Sequence, residues 1–364
     1  MGAMPAISER RIFSVGESVY TWEDVVLAAA LWGEWDDLRR EVQGGLACLK
    51  RLEDVEDEEE ALPEDEVSAA AAEFRYARDL IAAEDMEAWL EDRGLTAADW
   101  MDHIQRSLLI KKWAADLEGI QEEHPVDPEE VDQVIACDAI CGGRAAAWAA
   151  RLADRAAVGA MMFEERRDAG PETEISEHEV RSLLEAFPAA AADASLSGEL
   201  PSVDPSRLAA LARLEVAWQR FAEGQVTPQA IREQVAAHGI DWTRLSVQSV
   251  LLRDPDSARE AALCIREDGR DPAEVAAESG AELTAGTWFL DEVEAGLRDH
   301  LLGARRGEVL GPLRLKDGFA VVSVLAKQPP VAEDPAVRAR AERALLKRSV
   351  RSEVESRVRW NEPL

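Results

Sequence analysis

Histidine and tyrosine are scarce in this chain, five and two in 364 residues. The five imidazoles, His103, His124, His178, His238 and His300, show no ligand spacing. There are only four cysteines, Cys48, Cys137, Cys141 and Cys264, scattered through stretches of helical period. That pattern predicts buried thiols and excludes a disulfide framework. Cys137 and Cys141 sit one helical turn apart, but His124 is the one imidazole near them, so packing is the expected role; no metal and no cofactor are expected. No apolar run is long enough to span a bilayer, and no charged-then-apolar start resembles a signal peptide. Gly2-Ala3-Met4 reads as the scar of a cleaved tag, with the natural start near Met4, and the expected compartment is the cytoplasm. There is no GxSxG, no Walker loop and no GxGxxG, so hydrolase, NTPase and dinucleotide-binding readings lack support. Positive charge is short as well: 41 Lys and Arg stand against 73 Asp and Glu, a formal net charge of −32. A field of that sign repels phosphate backbones and anionic lipid, so neither nucleic acid nor membrane is an expected partner. Neutral or basic partners such as peptides suit this acidic protein.

What is present is helix. Hydrophobic residues make up 47% and charged residues 31%, the balance of a folded chain. At roughly 100–200 residues per domain, two or three domains are expected. From Thr21 to about Glu223 nearly every segment has helical period. Thr21, and Thr96 with Asp99, can cap the helices that follow them, Gly94 stops one, and Ser176 with Glu179 forms a capping box. Asp127-Pro128, Asp204-Pro205 and Thr227-Pro228 each set a capping side chain before a proline at the first helical position. Residues 52–66 are an acidic run read as a solvated loop and helix start. A faint echo joins two halves. Glu64-Asp65-Glu66-Val67 returns as Glu177-His178-Glu179-Val180, with Phe74 answered by Phe187, and Trp22-Glu23-Asp24-Val25 resembles Pro128-Glu129-Glu130-Val131. The expected organisation is a helical unit at 12–124 and a second at 125–240. The eleven tryptophans are mostly core of these units, with one or two free to line a peptide cleft.

After His238-Gly239-Ile240 the pattern changes. SVQSVLL (246–252) alternates as a strand, SAREAALCIREDG and DPAEVAAESG read as short helices, and GTWFL as a short strand. DEVEAGLRDHLLGARRG is helical, and GEVLGPLRLKDGFAVVSVLAKQPP reads as two strands joined at Lys316-Asp317-Gly318. The expected α/β domain spans 241–330. The tail, 331–364, carries a basic helix with Val337, Ala341, Leu345 and Val350 on one side. It is expected to return to the helical module and face the acidic surface of residues 52–92.

The stretch GEVLGPLRLKDGFAVVSVLAK resembles the last hairpin of the parvulin-type (PpiC, rotamase) peptidyl-prolyl isomerases, and the likeness runs from about Asp241 to Lys327. The whole layout is similar to SurA-like chaperones. A weaker likeness, through AEFR…DL and AWLEDRGLT, is to SurA-like proteins that mature ribosomally synthesised peptides in natural-product (RiPP) clusters. The fold class implied is α+β: a mainly helical SurA-like N-terminal module, a small parvulin-like α/β domain and a returning C-terminal helix. The parvulin pattern implies a histidine on the first strand, where this chain has Ser249, and another after Gly-aromatic on the last strand, where Gly318-Phe319 is followed by Ala320. A cysteine or aspartate position falls in ESGAELTAGTW, and the family's Met and Phe align with Val293 and Leu297. Isomerisation works against a barrier of ~18–20 kcal/mol and needs polar groups at the twisted imide. The resemblance thus implies a degenerate catalytic pair and a surviving peptide groove at Ser249, Phe289, Val293, Leu297 and Phe319. The expected function is a chaperone-like peptide-binding scaffold, a pseudo-isomerase, with a peptide or unfolded polypeptide client. A precursor peptide or its modifying enzyme is the specialised form of that client. The alternative is an active peptidyl-prolyl isomerase.

Overall fold

Where the sequence reading begins with a helix at Thr21, the computed structural model first places a hairpin, β1 (Arg11–Val15) and β2 (Ser18–Thr21). The turn is Gly16-Glu17, with Gly16 at φ 58, the left-handed region that favours glycine. A register shift between Arg11 and Phe13 buries Ile12 and Phe13 side by side. That bulge breaks the period-2 alternation by which a strand is recognised. Phe13 stacks on Tyr20 with ring centroids 4.6 Å apart. The structure describes residues 10–54, 62–166, 175–186, 204–316, 318–361 and 364.

Helices follow: α1 (Trp22–Leu31), α2 (Glu34–Asp54), α3 (Glu64–Ala77), α4 (Ala83–Arg93), α5 (Ala97–Lys112), α6 (Leu117–Glu123), α7 (Pro128–Cys141), α8 (Arg144–Arg166), α9 (Glu177–Ala186), α10 (Pro205–Gln225) and α11 (Pro228–Ala237). The caps act as their residue types dictate. The Asp24 carboxylate accepts from the Thr21 N–H at 2.7 Å, Asp99 from Thr96 at 2.8 Å and Glu179 from Ser176 at 2.9 Å. Gly94 ends α4 at φ 67. Among the described residues no helix is long and apolar enough to cross a membrane.

Packing divides the chain at other places than 12–124, 125–240, 241–330 and 331–364. One unit is Met1–Phe221 with Val350–Leu364, and the other is Ala222–Ser349. The two expected helical units do not stand apart, because one core draws on Val26, Leu38, Val131, Ile135, Trp148 and Leu214 together. The sequence echo has a spatial counterpart. Its matched segments start α1 and α7, and α3 and α9, in the same order. α1 packs on α8, and α2 packs on α7, so exchanging α1 with α7 and α2 with α8 maps one contact onto the other. Phe187, the answer to Phe74, lies outside the described residues.

The second unit holds a four-stranded antiparallel sheet in the order β4-β3-β6-β5. Its strands are β3 (Arg244–Leu252), β4 (Glu282–Phe289), β5 (Val309–Leu315) and β6 (Gly318–Gln328). Between them run α12 (Pro255–Arg266), α13 (Pro272–Ser279), a 3-10 turn (Leu290–Glu292) and α14 (Ala295–Gly303). Asp317, the middle of the expected turn, lies outside the described residues. One sheet face buries Val250, Leu252 and Val321 under Ala258, Ala262 and Ile265 of α12 and Val275 of α13. The other buries Leu245, Val247, Ala320, Val322 and Val324 against Leu290, Leu301 and Ala304. Both faces are covered, so the architecture is α+β, mainly helical with small antiparallel sheets.

The tail is α15 (Pro335–Arg357), followed by β7 (Val358–Trp360), which pairs with β1. Val337, Ala341 and Leu345 are buried against Ile231 and Val235 of α11 and against Trp242. Residues 52–92, the acidic surface expected to receive this helix, are not the partners of its ion pairs among the described residues. Arg340 instead binds Asp291 and Glu292, both at 2.5 Å, and lies over the Phe289 ring at 4.6 Å.

Candidate functional site

Strand alternation decides which candidate residues meet. Leu245 and Val247 point to the face that carries α14, so Ser249 and Leu251 follow them there. On β6, Ala320 and Val322 share that face. The register sets Ser249 opposite Val322 and Leu251 opposite Ala320, which makes Ser249 a diagonal neighbour of Ala320. Val293, just past the 3-10 turn, and Leu297 of α14 pack onto the same cluster and stay half-buried. Three of the candidate residues, Ser249, Val293 and Leu297, therefore lie half-buried on one face, and Ala320 is buried beneath it.

The two phenylalanines are elsewhere. Phe319 precedes Ala320 and so faces the opposite side, packing on the cluster under α12 and α13. Phe289 belongs to the core around Trp242 and Val337 and lies beneath Arg340. Neither reaches the surface that holds Ser249.

Other residues complete that surface. Leu310 and Leu315 of β5 and Trp288 of β4 pack on its rim. Thr284 lies across from Ser249 on β4, in the stretch where the resemblance implied a cysteine or aspartate. Ser249 and Thr284 thus set a pair of hydroxyls side by side on adjacent strands. Trp288 folds over Gly286, whose absent side chain makes room: a Cβ there would lie 2.6 Å from the indole. These residues share period 2 with Ser249 along strands already recognised. The start of β4 was missed because Glu282-Leu283-Thr284-Ala285 resembles a loop after Gly280.

The glycines of the hairpin motif hold the rim in place. Gly311 sits at φ 112, and a Cβ on it would fall 2.6 Å from the Ala320 carbonyl oxygen. β5 bulges between Leu310 and Leu313 at that point. Only glycine brings the two backbones so close, which gives GEVLGP its physical reason.

None of the histidines lies on β3, β4, β5 or β6. His103 binds Asp138 at 2.9 Å and His124 lies 3.4 Å from Asp54. His178 is in α9, His238 stacks on Trp242 at 4.4 Å, and His300 is exposed on α14. Cys137 and Cys141 are buried with their sulfurs 3.8 Å apart, and Cys137 also donates to the Asp99 carbonyl. The bond to Cys141, then burial, hold the Cys137 thiol far above its ordinary range, so it stays neutral. Cys48 is buried and Cys264 is half-buried.

No protein-family model matches the chain. No curated protein matches it either. Among solved structures, the peptidylprolyl isomerase PrsA of Bacillus cereus is 15% identical over 55% of this chain and 77% of its own, with a TM-score of 0.33. PrsA of Bacillus anthracis is 12% identical over 50% and 89%, at 0.30. A SurA-like chaperone of Campylobacter jejuni is 10% identical over 68% and 94%, at 0.21. All three scores are low.

Proposed function

We propose that this protein binds peptide or unfolded polypeptide segments on the α14 face of the Ala222–Ser349 unit and does not isomerise them efficiently. The observation that carries the reading is the convergence of half-buried Ser249, Val293 and Leu297 on one face of the sheet, over the buried Ala320, with no imidazole on its strands. Such a surface gives an extended segment apolar contact at ~25 cal/mol per Å² buried. Ser249 and Thr284 can each donate or accept one bond at a peptide carbonyl or amide. Hydroxyls alone supply little of the electrostatic stabilisation that a twisted imide needs. The strongly acidic chain favours neutral or basic clients. Within this reading, the client class is a ribosomally made precursor peptide, or the enzyme that modifies it, and its support is the resemblance in AEFR…DL and AWLEDRGLT.

Two measurements on the full chain test it. Labelled X-Pro peptides should bind in fluorescence anisotropy, and Leu297→Arg should weaken binding about tenfold or more while circular dichroism stays unchanged. In a protease-coupled isomerase assay, turnover should stay near the uncatalysed rate. Turnover like that of an ordinary parvulin, or binding indifferent to Leu297→Arg, would sink the reading.

A further inference from the structure

The four-stranded sheet has two edges, and they are built differently. Natural sheets blunt an exposed edge with proline, bulges, charge or a covering group, since unpaired backbone invites another strand. β5 has all of these. Pro312 lies within it, a register shift interrupts it, Arg314 is exposed on it, and Arg266 binds the carbonyls of both Val309 and Gly311 at 3.0 Å.

β4 has none of them along most of its length. Its eight residues, ELTAGTWF, contain no proline and no lysine, and only Glu282 at the start is charged. It pairs with β3 without a register break from Phe289 to Glu282. Thr284, Ala285 and Thr287 are exposed.

The phase of the ladder shows which groups are free. The Leu290 N–H donates to the Thr243 carbonyl at 2.9 Å, so in an antiparallel pair Trp288, Gly286, Thr284 and Glu282 turn their backbone groups to β3. Leu283, Ala285 and Thr287 then turn theirs away. The Phe289 N–H agrees with this phase, because it turns outward and is taken by Glu292 at 3.1 Å.

We propose that β4 is a strand-addition site, on which an extended, uncharged or basic client segment pairs with the outward N–H and C=O groups of Leu283, Ala285 and Thr287. The proposal deepens the peptide-binding reading and rests on it. A strand added to β4 sends alternate side chains to the α14 face, beside Thr284 and Trp288, in continuity with the surface around Ser249. Its other side chains lie beside Ala285 and Thr287. Backbone pairing supplies affinity without regard to sequence, and the alternate side chains supply selection. Uncharged neighbours on both faces, Thr284 and Trp288 on one and Ala285 and Thr287 on the other, suit β-branched and apolar residues. With Glu282 the one charge on the strand and a net charge of −32 overall, an acidic segment is disfavoured.

The test uses the full chain and a short peptide of alternating valine and threonine flanked by lysines. On binding, hydrogen exchange at the amides of Leu283, Ala285 and Thr287 should slow. Ala285→Pro removes one outward donor while sparing the bonds to β3, and should weaken binding about tenfold or more. Ala285→Lys repeats the test with a charge in case the proline variant does not fold. The same peptide N-methylated at alternate residues, in each of the two phases, should lose affinity in one phase only. Equal binding by both methylated forms, with wild-type affinity in the Ala285 variants, would overturn the edge while leaving the groove reading intact. No binding of the unmodified peptide by the wild type would overturn both. A dimer that Ala285→Pro converts to monomer would assign the edge to a second copy of the chain, and so overturn the client proposal.

Discussion

At the scale of single residues, the most exacting arrangement is in the Met1–Phe221 unit. Arg106, 3% exposed at its side chain, donates to the Asp138 carboxylate at 2.6 and 3.2 Å, and His103 makes a third bond to that carboxylate at 2.9 Å. Burial pushes the Asp138 carboxyl up, but the bonds from His103 and Arg106 more than reverse it, so it lies below the ordinary aspartate value. Removing one member of a buried pair strands the other charge, which costs ~3–5 kcal/mol. Asp138→Ala should therefore lower stability by that order in urea unfolding followed by tryptophan fluorescence. A loss under ~1 kcal/mol would mean that water reaches Arg106 and the pair is effectively at the surface. The sign of the pH dependence follows from the lowered value. The stability Asp138 contributes is fully present above its unfolded value of about 3.9 and is lost as pH falls through the folded value below it. The wild type should thus lose stability more steeply than Asp138→Ala as pH drops below ~4.

At the scale of elements, what was legible in the sequence was periodicity, and what was not was the partner of each periodic face. Val337, Ala341 and Leu345 read correctly as one apolar side of a helix. Their spacing carries no information on what covers them, and charge alone pointed to the acidic residues 52–92, part of which (55–61) lies outside the described residues. The contacts come from Ile231 and Val235 of α11, from Trp242 and Phe289 at one end of the sheet, where β3 begins and β4 finishes, and from Arg340. The same limit explains the candidate surface. Ser249 comes from the first-strand position of the parvulin pattern and Ala320 from its last hairpin, and the register joins them. Phe319 was set beside them although neighbours along a strand face opposite ways, a point that alternation alone decides. β1 and β7 escaped notice because one is bulged and the other is only three residues, Val358–Trp360. The tail packing can be checked. Leu345→Ala leaves a cavity beside Ile231 and Trp242 and should cost ~2–5 kcal/mol. Trp242, 3% exposed, should shift its emission to the red in that variant. Unchanged emission with unchanged stability would place the tail outside the core of this unit.

At the scale of the whole molecule, charge sets the terms. A formal net charge of −32 on 364 residues acts against compactness everywhere, while the ion pairs act locally. Many of those pairs are at the surface, such as Arg270–Glu278 and Arg351–Glu355, and each contributes ~0–1 kcal/mol. Salt screens both effects, but unequally. The repulsion is a sum over long distances, which falls as the Debye length shrinks from ~30 Å at 0.01 M to ~10 Å at 0.1 M. Pairs in contact, such as Arg106 with Asp138, are screened far less because they are buried. Raising sodium chloride from about 0.01 M to about 0.1 M should therefore raise the Tm by scanning calorimetry. A fall would mean that surface pairs outweigh the excess of carboxylates. The same field bears on clients. A lysine-flanked peptide should associate faster than a neutral one of the same core at low salt, and the advantage should vanish as salt rises. Its dissociation rate should barely move, since strand pairing on β4 and apolar contact beside Leu297 are short-range. If salt changed dissociation and left association alone, the lysines would be held in specific ion pairs at the site, and the long-range field would not be what selects the client.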